Sequence, residues 1–404
     1  MEVEQLDIIT SSTMKSLTRT REGPCVSMYM PTHRFGRETR QGRVRLGHLI
    51  AGAREALVGS GMRGRTADAL LGEVTALAGN DDFWQHQEDG LAIFVASDGT
   101  RTYRLPVAFD ELVVVADSFH VKPLWPLLSD GELFYVLALS RNEIRLLWAN
   151  RFQIGEVDLP EDVPASLAQA LWYDDPERQL QLHGSGRVGR DRVVATFHGH
   201  GTPDENDEAR LELFLRAVDG GIRHLLDPDS PLVLGGVVEM IAMFRRVTGH
   251  QRVVEGAVSG NLDLAKPDAL HPRAVAAVEP LLQRPFVEDA AAFASAGERA
   301  ISALLDGVSA ARNGRLSSVI IPLGIHAWGR VDPEGRVDPE GHVDPKNHVD
   351  PEEPAVAVHE QWEPGDIDLL DMIGTSTWAT GGRVHAVEPE AIPGPGPIAA
   401  VLRY

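Results

Sequence analysis

Cysteine is almost missing from this chain: Cys25 is the single one in 404 residues. That excludes an intrachain disulfide framework and a cysteine-based zinc site, and it agrees with a reducing compartment. Long apolar runs are missing too, so no segment reads as a membrane span. Met1-Glu2-Val3-Glu4 has neither the basic nor the apolar part of a secretory signal, and a cytoplasmic location is the expectation. Basic charge is in deficit: 38 lysines and arginines face 59 aspartates and glutamates, a net charge of −21. Phosphate contacts supply most of the affinity of nucleic-acid binding, so a balance of this sign argues against a general polynucleotide binder.

What is present modifies that exclusion. Between Arg34 and Arg65, eight arginines (Arg34, Arg37, Arg40, Arg43, Arg45, Arg54, Arg63, Arg65) meet only Glu38 and Glu55, a local balance of +6. From His183 to Gly201, Arg187, Arg190 and Arg192 meet only Asp191. The chain therefore reads as an acidic body with two basic segments, a pattern that suggests polyanion contact at two places. The competing reading of Arg34, Arg37, Arg40 and Arg43 is a drifting helical stripe, solvated and balanced by acids elsewhere in the fold. His33, just before it, reads as a satisfied turn residue rather than a catalytic one.

The second basic segment cannot be packed as core. Gly184, Gly186, Gly189, Gly199 and Gly201 alternate with His183, His198, His200 and the three arginines, leaving only Val193-Val194-Ala195 to bury. Unstructured loops of this length are usually functional or disordered. Thr202-Pro203-Asp204-Glu205 then starts a helix, with Thr202 as N-cap, Pro203 in the first position and Glu205 closing a capping box. Leu211, Phe214, Leu215, Val218, Ile222 and Leu225 carry its apolar stripe to about Leu226. Gly199-His200-Gly201 thus sits at the positive end of a helix, which favours an anion, although Asp204, Glu205, Asp207 and Glu208 already complement that dipole. No cofactor or metal is expected. The three histidines have a ligand-like composition, but glycine-rich chain does not preorganise them and no carboxylate or cysteine stands at metal-site spacing.

Strand and helix signals alternate, so the fold class is α/β, with three mixed α/β domains: residues 1–130, 131–285 and 286–404. The first has a strand at Cys25–Met30, a helical stretch from Val44 to Ala78, and a hairpin (Leu91–Ala96, Arg101–Leu105) about Asp98-Gly99. The second opens with a meander over Phe134–Leu139, Glu143–Trp148 and Phe152–Val157. It continues after the loop with a buried strand, Leu232-Val233-Leu234-Gly235-Gly236, and an apolar helix from Val237 to Val247. Gly235-Gly236 lacks the spaced third glycine of a dinucleotide site. In the third, one helix runs from Phe286 to Arg312 and stops at Asn313-Gly314, and a strand follows at Ser318–Leu323. A further helix spans Asp366–Ala379, and strands fill Arg383–Val387 and Ile398–Leu402. Residues 329–354 repeat a hexapeptide of the form Gly-Arg-Val-Asp-Pro-Glu. A proline every six residues forbids a helix and one valine per repeat builds no core, so this reads as a disordered surface insertion.

Four of these stretches occur in an order that resembles a known family. They are Pro24-Cys25-Val26-Ser27-Met28-Tyr29-Met30-Pro31-Thr32-His33-Arg34, the glycine loop running into its helix, Leu232–Gly236, and the ending Ile398–Tyr404. Together the chain resembles the bacterial homologues of archaeo-eukaryotic peptide release factor, a group that includes the hibernation factor Balon and is related to the rescue factor Pelota. The resemblance implies a release-factor-like fold: an N-terminal domain for the decoding centre, a ribonuclease H-like middle domain for the peptidyl transferase centre, and a C-terminal domain for a translational GTPase. Expected partners are the ribosome through 16S and 23S rRNA, and elongation factor Tu or another translational GTPase, with no membrane partner and a monomeric state. By position, His33, Arg34, Arg37, Arg40, Arg43 and Arg45 would meet rRNA in the N-terminal domain. His183, Arg187, Arg190, Arg192, His198, Gly199, His200 and Gly201 would meet rRNA or a tRNA end.

Gly199-His200-Gly201 takes the place of the Gly-Gly-Gln tripeptide that supports ester hydrolysis in true release factors, and the glutamine is absent. That favours occupancy of the A site of an idle ribosome, as in hibernation, over catalysis. Two alternatives stay open: rescue or peptidyl-tRNA hydrolysis with His200 as general base, and a histidine-bound metal hydrolase unrelated to translation.

Overall fold

The computed structural model describes residues 9–34, 39–130, 133–161, 163–173, 203–331 and 356–404. Their contacts define two compact units, residues 1–131 with 284–404, and residues 132–283. Each is mixed α/β. No helix among the described residues is long and apolar enough to cross a membrane.

In the first unit, Cys25-Val26-Ser27-Met28-Tyr29-Met30 forms strand β1 (Cys25–Pro31), buried along nearly its whole length. It lies between β2 (Gly90–Ala96) and β4 (Leu112–Ala116), with β3 (Gly99–Leu105) outside β2, all antiparallel. The hairpin turns at Ser97-Asp98, where Gly99 takes φ +121° opposite Ala96. Alternation splits β1 between two cores. Val26, Met28 and Met30 pack with Leu46, Leu49, Ala53 and Leu57 of helix Thr39–Gly59. Tyr29 faces the other way, against Phe94, Phe109 and His120.

The single helix expected over Val44–Ala78 is three, Thr39–Gly59, Gly64–Leu70 and Gly72–Ala78. Gly61 takes φ +97°, and the Met62 N–H reaches back to the Leu57 carbonyl, an arrangement that ends a helix. Ala67, Leu71 and Val74 rejoin the core that Leu46 and Leu57 enter, so one apolar stripe runs across the break and conceals it.

The second unit carries β5 (Phe134–Leu139), β6 (Ile144–Ala149), β7 (Ile154–Val157), β8 (Leu232–Gly236) and β9 (Val253–Ser259), ordered β7-β6-β5-β8-β9. The first three form an antiparallel meander, and β8 and β9 add in parallel to β5. Alternation along β5 sends Tyr135, Leu137 and Leu139 to helices Pro203–Ile222 and Val238–Val247, with Leu211, Phe214, Leu215, Met240 and Phe244 facing them. Phe134, Val136 and Ala138 face the opposite way, toward Leu270, Ala274 and Val278 of helix Pro267–Leu282. β9 and that helix are absent from the sequence reading, the helix because Pro272 and Pro280 lie inside it, where proline normally forbids one.

Residues 284–404 complete the first unit. The helix expected over Phe286–Arg312 is two, Arg284–Ser295 and Leu304–Arg312, separated where Gly297 takes φ +59° and β10 (Ala300–Ile301) intervenes. The second ends at Asn313-Gly314 as expected, with Gly314 at φ +65°. Strands β11 (Leu316–Pro322), β15 (Arg383–Val387) and β16 (Ala399–Leu402) join β10 in the order β10-β16-β11-β15. Between them β12 (Trp328–Val331), β13 (Val356–His359) and β14 (Ile367–Asp368) form a second, antiparallel sheet ordered β13-β12-β14. The first residues of the hexapeptide array, Gly329-Arg330-Val331, thus belong to a strand. A Cβ on Gly329 would lie 2.1 Å from the Ala357 carbonyl oxygen, so glycine is required there. The rest of the array lies outside the described residues.

Asp289 fastens helix Arg284–Ser295 to β15, accepting from Arg383 Nε at 2.7 Å and lying 2.7 Å from His385 Nε2. Burial would raise this carboxyl, but the bonds from Arg383 and His385 outweigh it and hold it at about 2. A depressed carboxylate stabilises the fold above its unfolded value and loses that contribution as pH falls from about 4 to 2. Asp289→Asn is therefore expected to cost on the order of 1–2 kcal/mol near neutrality. The gap between the two urea midpoints should close below about pH 3, and a gap independent of pH would refute the assignment.

Candidate functional site

The basic N-terminal segment acquires partners on folding. Arg34 forks onto Asp89, Nε to Oδ1 at 3.1 Å and Nη2 to Oδ2 at 3.0 Å, and meets Glu88 at 2.8 Å. Arg43 pairs with Asp81, Arg45 with Glu111 at 3.2 Å, and Arg54 with Asp68 at 2.6 Å. All five acids lie outside the Arg34–Arg65 window, so a positive sequence window is not a positive surface. His33 follows β1 half-buried, and Arg40 falls on the first turn of helix Thr39–Gly59. Arg37, His183, Arg187, Arg190, Arg192, His198, Gly199, His200 and Gly201 lie outside the described residues. The helix expected from Pro203 begins there, and its stripe is seated on the β5–β8 sheet, while Thr202 lies outside the described residues.

A second cluster, absent from the sequence reading, is buried in the first unit. Beyond β4 the chain passes through Ser118-Phe119-His120-Val121-Lys122 beneath the far face of β1. The Tyr29 hydroxyl donates to the His120 carbonyl at 2.6 Å, and the His120 N–H donates to Ser27 Oγ at 2.9 Å. This places His120 and Lys122 against the start of helix Leu369–Ala379. There Asp368, the N-cap, accepts from Leu370 N at 3.1 Å and Ala327 N at 3.2 Å through Oδ1. Its Oδ2 takes Lys122 Nζ at 2.6 Å and lies 2.9 Å from His326 Nδ1. Lys122 also donates to the Ile325 carbonyl. One turn on, both Asp371 oxygens lie 3.2 Å from Val121 N.

The electrostatics follow from burial. Asp368 side-chain exposure is 0% and that of Lys122 is 1%. Desolvation alone would raise the Asp368 carboxyl, yet the His326 hydrogen bond and the Lys122 charge hold it well below the usual range. Desolvation drives His120 down to about 3, leaving a neutral imidazole. Burial, aided by the Asp368 charge, lifts Asp371 to about 8. His326 stacks on Trp328 at 4.9 Å and is the cluster's solvent-facing member, with 23% of its side chain exposed. Asp366, Asp368 and Asp371 at the head of an apolar helix were the available signal. Lys122 and Val121, which meet Asp368 and Asp371, stand 246 and 250 positions away, beyond any local pattern.

Comparison with known proteins gives one family match, over part of the chain. Residues 134–280 match bacterial archaeo-eukaryotic release factor family 7. No curated protein matches. Among solved structures, an archaeal translation termination factor is 12% identical over 98% of this chain and 99% of its own, with a TM-score of 0.24. Archaeoglobus fulgidus Pelota is 12% identical over 78% and 79%, with a TM-score of 0.29. A ribosome-bound archaeal Pelota is 8% identical over 98% and 95%, with a TM-score of 0.30. The family match covers residues 134–280, the span of β5 to helix Pro267–Leu282, and over that stretch the chain is similar to bacterial archaeo-eukaryotic release factor family 7.

Proposed function

We propose that this protein is a ribosome-binding translation factor that occupies the A site of idle ribosomes without releasing peptide. One observation carries the reading. The release-factor match spans residues 134–280, and within it the loop from His183 to Gly201 ends in Gly199-His200-Gly201 rather than in a glutamine-bearing tripeptide. Without that glutamine the loop keeps its glycines and cations for RNA contact but not the group that assists attack of water. The order β7-β6-β5-β8-β9, a meander extended by two parallel strands, supports a ribonuclease H-like middle domain, which presents the loop from helix Pro203–Ile222. In this proposal the loop meets 23S rRNA, the N-terminal arginines meet 16S rRNA, and a translational GTPase such as elongation factor Tu is the delivery partner. Arg34, Arg43 and Arg45 would exchange carboxylates for phosphates on binding, so their contribution is smaller than their charge implies.

Pelleting with vacant ribosomes tests this. The intact chain should co-sediment in low-salt buffer and be released as salt rises. A chain with residues 183–201 deleted should lose most of the bound fraction, and His200→Ala should retain it. Absence of binding at low salt rejects the proposal. Cleavage of a peptidyl-tRNA ester that His200→Ala abolishes would replace it with a hydrolytic role.

A further inference from the structure

We infer that His120, His326 and Asp368 form a binding site for a divalent transition ion of the zinc class, pinning the chain beyond β4 to the head of helix Leu369–Ala379. One donor atom from each of the three residues lies within 4.8 Å of the others. Small rotations of the side chains would bring donors at that spacing to metal-bonding distance, about 2.0–2.2 Å, of a common point. Two imidazoles and one carboxylate are the donor set that zinc-like ions accept, and three protein ligands leave a fourth position open.

His120 supplies the independent observation. Its side chain is 2% exposed, and neither ring nitrogen has a hydrogen-bond partner among the described residues. A buried imidazole left without partners is costly, and a ligand on its ring nitrogen would remove that cost. Nδ1 is directed toward carboxylates, 3.6 Å from Asp371 Oδ2 and 4.0 Å from Asp368 Oδ2. Those separations are too long for hydrogen bonds but are suited to a shared ion between the groups.

Lys122 fits the same scheme. Its ammonium lies on Asp368 Oδ2 and holds a second acceptor, the Ile325 carbonyl. It serves as counter-charge in the metal-free protein and keeps that second bond when an ion takes the carboxylate. His326, at the exposed edge, provides the way in.

Full-length protein stripped with chelator and titrated with Co²⁺ tests the site by visible absorption. Stoichiometric uptake with ligand-field bands of low-coordinate Co²⁺ is expected, the bands disappearing when Zn²⁺ is added. His326→Ala should abolish the bands, whereas deletion of residues 183–201, which removes three other histidines, should leave them unchanged. His326→Gln serves alongside it, and both variants should match the parent's circular dichroism in chelator. Absence of bands in the parent, or bands that survive in both His326 variants, overturns the inference.

Discussion

Lys122→Met is expected to lower the stability of the first unit by about 3–5 kcal/mol, the range for removing one partner of a buried ion pair. The Lys122 and Asp368 side chains are 1% and 0% exposed. Methionine fills nearly the same volume, so the change isolates the charge. Asp368 would keep its bonds from Leu370 N, Ala327 N and His326, but would carry a full negative charge in a dry site. Measured in chelator, the melting temperature should fall on the order of 10 °C. Adding Asp368→Asn should restore part of the loss by removing the stranded charge while still capping helix Leu369–Ala379, though not all, because the Ile325 carbonyl remains without its Lys122 donor. For scale, solvent-exposed ion pairs in proteins are typically worth about 0–1 kcal/mol. A Lys122→Met cost of that size would mean that the cluster is solvated and that the burial argument fails.

Phe214→Ala should have a comparable effect in the second unit, about 3–5 kcal/mol from lost transfer energy and the cavity left behind. Phe214 is 2% exposed and packs in the core formed by Leu137, Leu215, Val218 and Phe244. Its neighbour Leu213 is 58% exposed, and Leu213→Ala should stay within about 0.5 kcal/mol of the parent. Adjacent residues, similar chemistry and opposite outcomes test the register of helix Pro203–Ile222 in a pair of urea titrations. Equal effects would place the apolar stripe elsewhere.

Where local chemistry dictates structure, the chain is legible. Leu232-Val233-Leu234-Gly235-Gly236 reads as a buried strand, Asn313-Gly314 as a helix stop and Pro203 as a helix start, each because one residue type satisfies one backbone demand. Legibility fails where two signals conflict. Gly61 was overruled by an apolar stripe that continues beyond it, and Pro272 and Pro280 hid a helix whose Leu270, Ala274 and Val278 are nonetheless fully buried. Charge misleads in another way. Arg34, Arg43 and Arg45 read as a cationic tract along the chain, yet Asp89, Asp81 and Glu111 meet them in space. The His120–Lys122–Asp368 cluster shows only its acidic half along the chain, and the basic half lies 246 positions away.

The β12–β13 ladder carries an evolutionary consequence. Val331 and Val356 face each other as cross-strand partners, so the hexapeptide array leaves and re-enters the fold at a single doorway. The width of that doorway is set by backbone pairing and is indifferent to how many copies pass through it. Repeat units could therefore be added or removed between Val331 and Val356 without altering either doorpost.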